Sequence, residues 1–121
     1  MSKRDLKKFV SELTKTQLEE QVIELYEKFK AAILNLTDGI EVKPQKFYIA
    51  FKKGKNVTDI AILKKSLKLF INVKAGLLDD PKKLAQDVSN IGHWGNGDYQ
   101  IQVEDDKDLE YIMSLVKQAI Q

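Results

Sequence analysis

Leu67-Lys68-Leu69-Phe70-Ile71-Asn72-Val73-Lys74 carries an aliphatic residue at every odd position and a polar or aromatic one at every even position. Successive side chains of a strand point to opposite sides, so this period of two predicts a β-strand with one face committed to a core. The pattern extends outward in both directions. Phe47, Ile49 and Phe51 alternate with Tyr48 and Ala50 before a Lys52-Lys53-Gly54-Lys55 turn, and Val57 to Leu63 reads as the next strand, ended by Lys64-Lys65-Ser66. Downstream, Tyr99, Ile101 and Val103 predict another strand, with Gln100 and Gln102 facing away. These segments form a meander.

The period becomes helical at both ends. Ser2-x-x-Asp5 resembles a capping box ahead of Leu6, Phe9, Val10 and Leu13. Thr14-x-x-Gln17 predicts a second, longer helix with Leu18, Val22, Leu25, Phe29, Ala32, Ile33 and Leu36 on one stripe, stopped at Gly39. Asp80-Pro81 suits an N-cap and first helical residue, which predicts a short helix over Pro81 to Asp87. Asp105 or Asp106 then caps a last helix with Leu109, Ile112, Met113, Val116 and Ile120 inward. The expected class is α+β, with N- and C-terminal helices packed on a mostly antiparallel meander sheet of four to five strands. The 121 residues read as a single domain, 1–15 being a short helical extension of the domain at 16–121.

Composition narrows the chemistry. The chain has no cysteine and one histidine, which excludes a disulfide framework and Cys- or His-rich metal sites, so no cofactor and no metal are expected. No apolar stretch approaches the ~20 residues of a membrane span, and the N-terminus lacks the apolar run of a signal peptide; the expected setting is cytoplasmic. Net charge is only +2, yet the segment from Glu41 to Gly76 holds nine lysines against two acids. Such asymmetry recruits polyanions, although lysines also blunt exposed sheet edges.

The strand alternation defines a second sheet face bearing Lys46, Tyr48, Lys52, Lys68, Phe70, Asn72 and Lys74. Cations interleaved with aromatics suit single-stranded nucleic acid, because bases stack while phosphates pair with ammonium groups. Tyr48 and Phe70 beneath a terminal helix would instead be core. The glycine-rich loop Gly92-His93-Trp94-Gly95-Asn96-Gly97-Asp98 holds the only Trp and the only His. It lacks the Lys-Ser/Thr ending of a P-loop and precedes a strand rather than a helix. No glycine-flanked nucleophile stands beside His93, and the acid-x-Lys triplets at Asp5, Glu41, Asp80 and Asp105 lie in no nuclease-like setting, so no catalytic residues are expected. Trp94 is expected to pack against the end of the sheet.

From about Lys46 to Gln121 the chain resembles an uncharacterised bacterial and archaeal domain of unknown function. The resemblance is carried by Phe47-Tyr48-Ile49-Ala50-Phe51, Asp79-Asp80-Pro81-Lys82, the Trp94-Gly95-Asn96-Gly97-Asp98 core and the closing Asp108-Leu109-Glu110-Tyr111-Ile112 segment. That domain commonly ends larger chains, including GmrSD-like restriction proteins and "predicted transport protein" chains. The resemblance implies a non-enzymatic accessory module working with nucleic-acid-processing or defence proteins. The residues expected to bind nucleic acid or a partner are Lys46, Tyr48, Lys52, Lys53, Lys55, Lys68, Phe70, His93 and Trp94. The alternative is a protein–protein or homodimerisation domain using the Trp94 loop and the sheet edge.

Overall fold

A computed structural model describes residues 3–91 and 96–120, with side chains described from residue 19 onward. Helix α1 (Lys3–Leu34) leads into strands β1 (Glu41–Pro44), β2 (Ile49–Lys53), β3 (Lys55–Ile62) and β4 (Leu67–Ile71), then β5 (Gln86–Asp87), β6 (Tyr99–Val103) and helix α2 (Leu109–Lys117). The six strands form one antiparallel sheet in the order β1-β2-β3-β4-β6-β5. The α+β class with a helix at each end is therefore correct, whereas the sheet has six strands rather than four to five. Two were missed because β1 contains a proline and β5 is only two residues long, too short for any alternation to register.

Both helices cover one sheet face. Val22, Leu25, Tyr26, Phe29 and Ile33 recur at helical spacing along α1 and are buried against Ile112, Met113, Leu115 and Val116 of α2. Beneath them lie Phe51, Ile60, Leu69, Ile71 and Ile101. The register explains why these strand residues share a face: Ile49, Ile60, Leu69 and Ile101 form one cross-strand row, and Phe51, Thr58, Ile71 and Tyr99 the next.

Four local expectations are corrected. Helix α1 runs without a break through Thr14-Lys15-Thr16, since residues 3–34 contain neither Gly nor Pro and mid-helix threonines cost only tenths of a kcal/mol. No helix covers residues 81–87. Lys83 has φ +53°, which ends the helical path after one turn, and the Asp80 carboxylate accepts the N–H groups of Leu84 and Ala85. Phe47 is not a core residue. It sits in the turn closed by Gln45 N–H donating to the Tyr48 carbonyl, before β2 begins, and is 50% exposed. Helix α2 also starts later than expected, with Asp108 at the N-cap position and Asp105 accepting from Lys107 N–H in the preceding turn.

Gly97 carries the tightest constraint among the described glycines. Its φ is +94°, and a Cβ there would lie 2.0 Å from the Ile71 carbonyl oxygen and 2.4 Å from the Asn72 Cα. Both opposing groups are backbone, so neither can swing aside. Gly54 at the β2–β3 turn is also left-handed (φ +74°) but has nothing within 4 Å of that position. Gly97→Ala is expected to cost ~2–5 kcal/mol, from strain plus overpacking, against ~1 kcal/mol for Gly54→Ala. Denaturant unfolding of the two variants measures the difference.

Candidate binding surface

The face away from the helices is closed at its centre. Asp59 alternates with the core residues Thr58 and Ile60, and lies opposite Ala50 and Phe70 across the sheet. Asp59 is fully buried, Phe70 is 2% exposed, and Ala50 and Ala61 are buried with them. The Asp59 carboxylate accepts from Asn56 Nδ2 (2.8 Å), from the Asn96 backbone N–H (2.6 Å) and from Asn96 Nδ2 (3.1 Å). Asn56 is held in turn, its carbonyl accepting from Asn72 Nδ2 at 2.6 Å. Burial pushes the Asp59 carboxyl above its ordinary range, and the Asn96 and Asn56 hydrogen bonds only partly oppose that.

The residues after Asn96 complete the attachment. Gly97 abuts the end of β4. Asp98 donates its N–H to the Val73 carbonyl, accepts Val88 N–H on its own carbonyl and accepts Ala75 N–H on its carboxylate. Tyr99 accepts Gly76 N–H on its hydroxyl. Asn96-Gly97-Asp98 is thus a structural clasp. Gly92, His93, Trp94 and Gly95, including two of the expected binding residues and the expected packing of Trp94, lie outside the described residues.

Phe70 is accordingly no stacking platform. Alternation assigned its face correctly but could not show that the face is closed. Of the other expected residues, Tyr48 and Lys68 are half-buried, and Lys46 is exposed with its ammonium 5.3 Å from the Phe47 ring centroid. Lys52, Lys53 and Lys55 gather at the β2–β3 turn. Lys53 and Lys55 face each other across the ladder, and Lys53 Nζ donates to Thr37 Oγ1 at 2.7 Å. Among the described residues none of these three forms an ion pair; nearby Glu41 closes on Lys43 at 3.4 Å.

Beside that turn lies a cleft of about 390 Å³ lined by Lys55, Asn72, Val73, Lys74, Leu77, Gln118 and Ala119. Sequence reasoning missed it, because it joins the turn, the segment after β4 and the end of α2, which lie far apart in the chain. Beyond it the Asp79-Asp80-Pro81-Lys82 segment docks on α2. Gln118 pairs with the backbone of Asp79 through two 2.8 Å bonds, and Tyr111 donates its hydroxyl to Asp80 while accepting Lys82 N–H at 3.0 Å. Burial raises the Asp80 carboxyl, but the Tyr111 hydroxyl and the backbone N–H groups of Ala85, Leu84 and Lys83 outweigh it, leaving Asp80 below the usual carboxylate range. No group of three or more potential metal ligands occurs among the described residues, and no described helix is long and apolar enough to cross a membrane.

A family model described as Domain of unknown function (DUF5655) matches residues 10–121. The chain belongs to this family. It is similar to an uncharacterized protein of Haemophilus influenzae, at 62% identity over 97 residues, covering 80% of this chain and 32% of that protein. The matched stretch thus spans about a third of the relative's length. No solved structure matches. Within this chain's Trp94-Gly95-Asn96-Gly97-Asp98 stretch, the last three residues have a structural explanation.

Two outcomes test this geometry. Phe70→Ala is expected to cost ~3–5 kcal/mol as a large-to-small core change, read as a lowered denaturant midpoint. Asp59→Asn is expected to cost ~1–3 kcal/mol, because an amide NH₂ group would meet donors that a carboxylate accepts. The pH profile separates Asp59 from Asp80. A raised folded pKa makes the folded state bind the extra proton, so the Asp59 contribution falls as pH rises from its unfolded value through its folded one. The Asp80 contribution has the opposite sign and is lost as pH falls through its depressed folded pKa. Stability measured against pH should lose only the first component in Asp59→Asn.

Proposed function

We propose that the domain is a non-enzymatic accessory module that binds single-stranded nucleic acid through phosphate contacts at the β2–β3 end of its sheet. The observation that carries this reading is the concentration of Lys52, Lys53, Lys55 and Lys74 there, none of them ion-paired among the described residues. Like charges directly opposite each other across a ladder destabilise it, and the Lys53–Lys55 pair does this at the turn. A bound polyanion would relieve that repulsion. The buried Phe70 removes base stacking at the sheet centre, so binding would be electrostatic and largely independent of sequence.

On this reading the module works beside a nuclease or defence protein in the cytoplasm, as the resemblance to the C-terminal domains of restriction-type chains suggests. Homodimerisation through the sheet edge is the weaker alternative. The free edge of β1 carries Pro44, which has no N–H to offer, and Lys43, two features that discourage strand addition.

Fluorescence anisotropy with a labelled oligodeoxythymidine tests the proposal. Binding at low salt should weaken with ionic strength, each neutralised phosphate contributing about −0.7 to the slope of log K against log salt. The triple change Lys52→Glu, Lys53→Glu and Lys55→Glu should abolish binding and shift stability by no more than ~0.5 kcal/mol, since exposed turn charges contribute little to folding. Absence of binding at low salt, or binding indifferent to the triple change, contradicts the proposal.

A further inference from the structure

We infer that the cleft between the β2–β3 turn, the segment after β4 and the end of α2 seats a single nucleotide carrying a terminal phosphate, with Lys55 and Lys74 on the phosphate and Val73, Leu77 and Ala119 against the base or sugar. The inference rests on the reading of the domain as a nucleic-acid-binding module and assigns part of that binding to a defined site.

The cleft's volume of about 390 Å³ falls within the ~300–1,000 Å³ typical of small-molecule sites. Its polar groups divide into committed and uncommitted ones. Gln118 spends both its amide oxygen and its amide nitrogen on the Asp79 backbone, and Asn72 spends its Nδ2 on the Asn56 carbonyl. In the last turn of α2 the carbonyls of Leu115, Val116 and Lys117 accept from the N–H groups of Gln118, Ala119 and Ile120. Lys55 and Lys74 therefore supply the cleft's charge, and among the described residues neither has a carboxylate partner. A terminal phosphate carries about −1.5 to −2 at neutral pH, which two ammonium groups match better than the single charge of an internal phosphodiester.

The remaining wall is apolar. Leu77 is 70% exposed although it lines the cleft, so a ligand that covers it gains apolar burial that a bare inorganic ion cannot provide. The combination of two lysines and an aliphatic wall suits a phosphate attached to a partly apolar body such as a nucleoside. Two sources share that chemistry: a free mononucleotide and the phosphorylated end of a strand.

Backbone amide shifts in heteronuclear NMR, followed through separate titrations of the full chain, distinguish them. Adenosine monophosphate should move the amides of Lys55, Lys74, Leu77 and Ala119, while adenosine and inorganic phosphate each bind at least about tenfold more weakly. Lys74→Gln and Leu77→Ser should each weaken the mononucleotide about tenfold with unfolding midpoints near that of the wild type. A 5′-phosphorylated oligodeoxythymidine should move the same amides, and its unphosphorylated counterpart should leave those of Lys74, Leu77 and Ala119 still. If the mononucleotide moves them and the phosphorylated strand neither moves them nor binds elsewhere on the chain, the cleft is a seat for free nucleotides and the nucleic-acid reading fails. If the unphosphorylated strand binds in a Lys52- and Lys53-dependent way while the cleft amides never move, the nucleic-acid reading stands and the cleft assignment is overturned. Equal affinity for adenosine and its monophosphate also overturns it.

Discussion

A carboxylate without a counter-charge among the described residues sits at the centre of the sheet, and the rest of the domain is arranged around keeping it satisfied. Asp59 is fully buried on the face opposite the helices. Burying a charge is tolerable only when hydrogen bonds replace its water. Three donors from two asparagines do so here, and one of those asparagines arrives from 37 residues further along the chain. Asn96 can reach Asp59 only because Gly97 passes against the backbone of Ile71 and Asn72 without a side chain. Asp98 then fastens the exit of the loop to the segment after β4. One buried acid thereby ties β3, the end of β4 and the start of β6 together on the face opposite the helices.

Under the proposed function, binding falls to the rim of the sheet. With Phe70 and Ala61 buried on the second face, the described residues at the sheet centre offer no exposed aromatic ring for base stacking. Its lysines are displayed where strands end. The β2–β3 turn and the segment after β4 share one end of the sheet, and α2 closes that end through Gln118 and Tyr111 acting on the Asp79–Lys82 segment. The result is a cleft whose walls are fixed by hydrogen bonds and whose charges are not spent on the fold.

Elements with a strong period were legible in the sequence. The alternation of Leu67 to Ile71 and the stripe of Val22, Leu25, Phe29 and Ile33 each identified the correct core face, because solvent exclusion dictates those spacings. Elements specified by single hydrogen bonds were not. Pro81 after Asp80 looked like a helix start, yet Asp80 serves a loop and a distant tyrosine, a partnership no local pattern encodes. Asp59 lay in an otherwise apolar strand, and an acid at such a position was the available hint of a buried network. The cleft was invisible because its residues come from three segments that only the fold brings together.

Native-state hydrogen exchange at the Asn96 amide tests the central claim most directly. A backbone N–H donating at 2.6 Å to a fully buried carboxylate can exchange only when the clasp opens. The account predicts that this amide is protected to nearly the same degree as those of β3 and β4, and that Asp59→Asn removes its protection while the β4 amides remain slow under native conditions. Exchange of the wild-type Asn96 amide at the rate of the exposed Ser89 or Asn90 would contradict it.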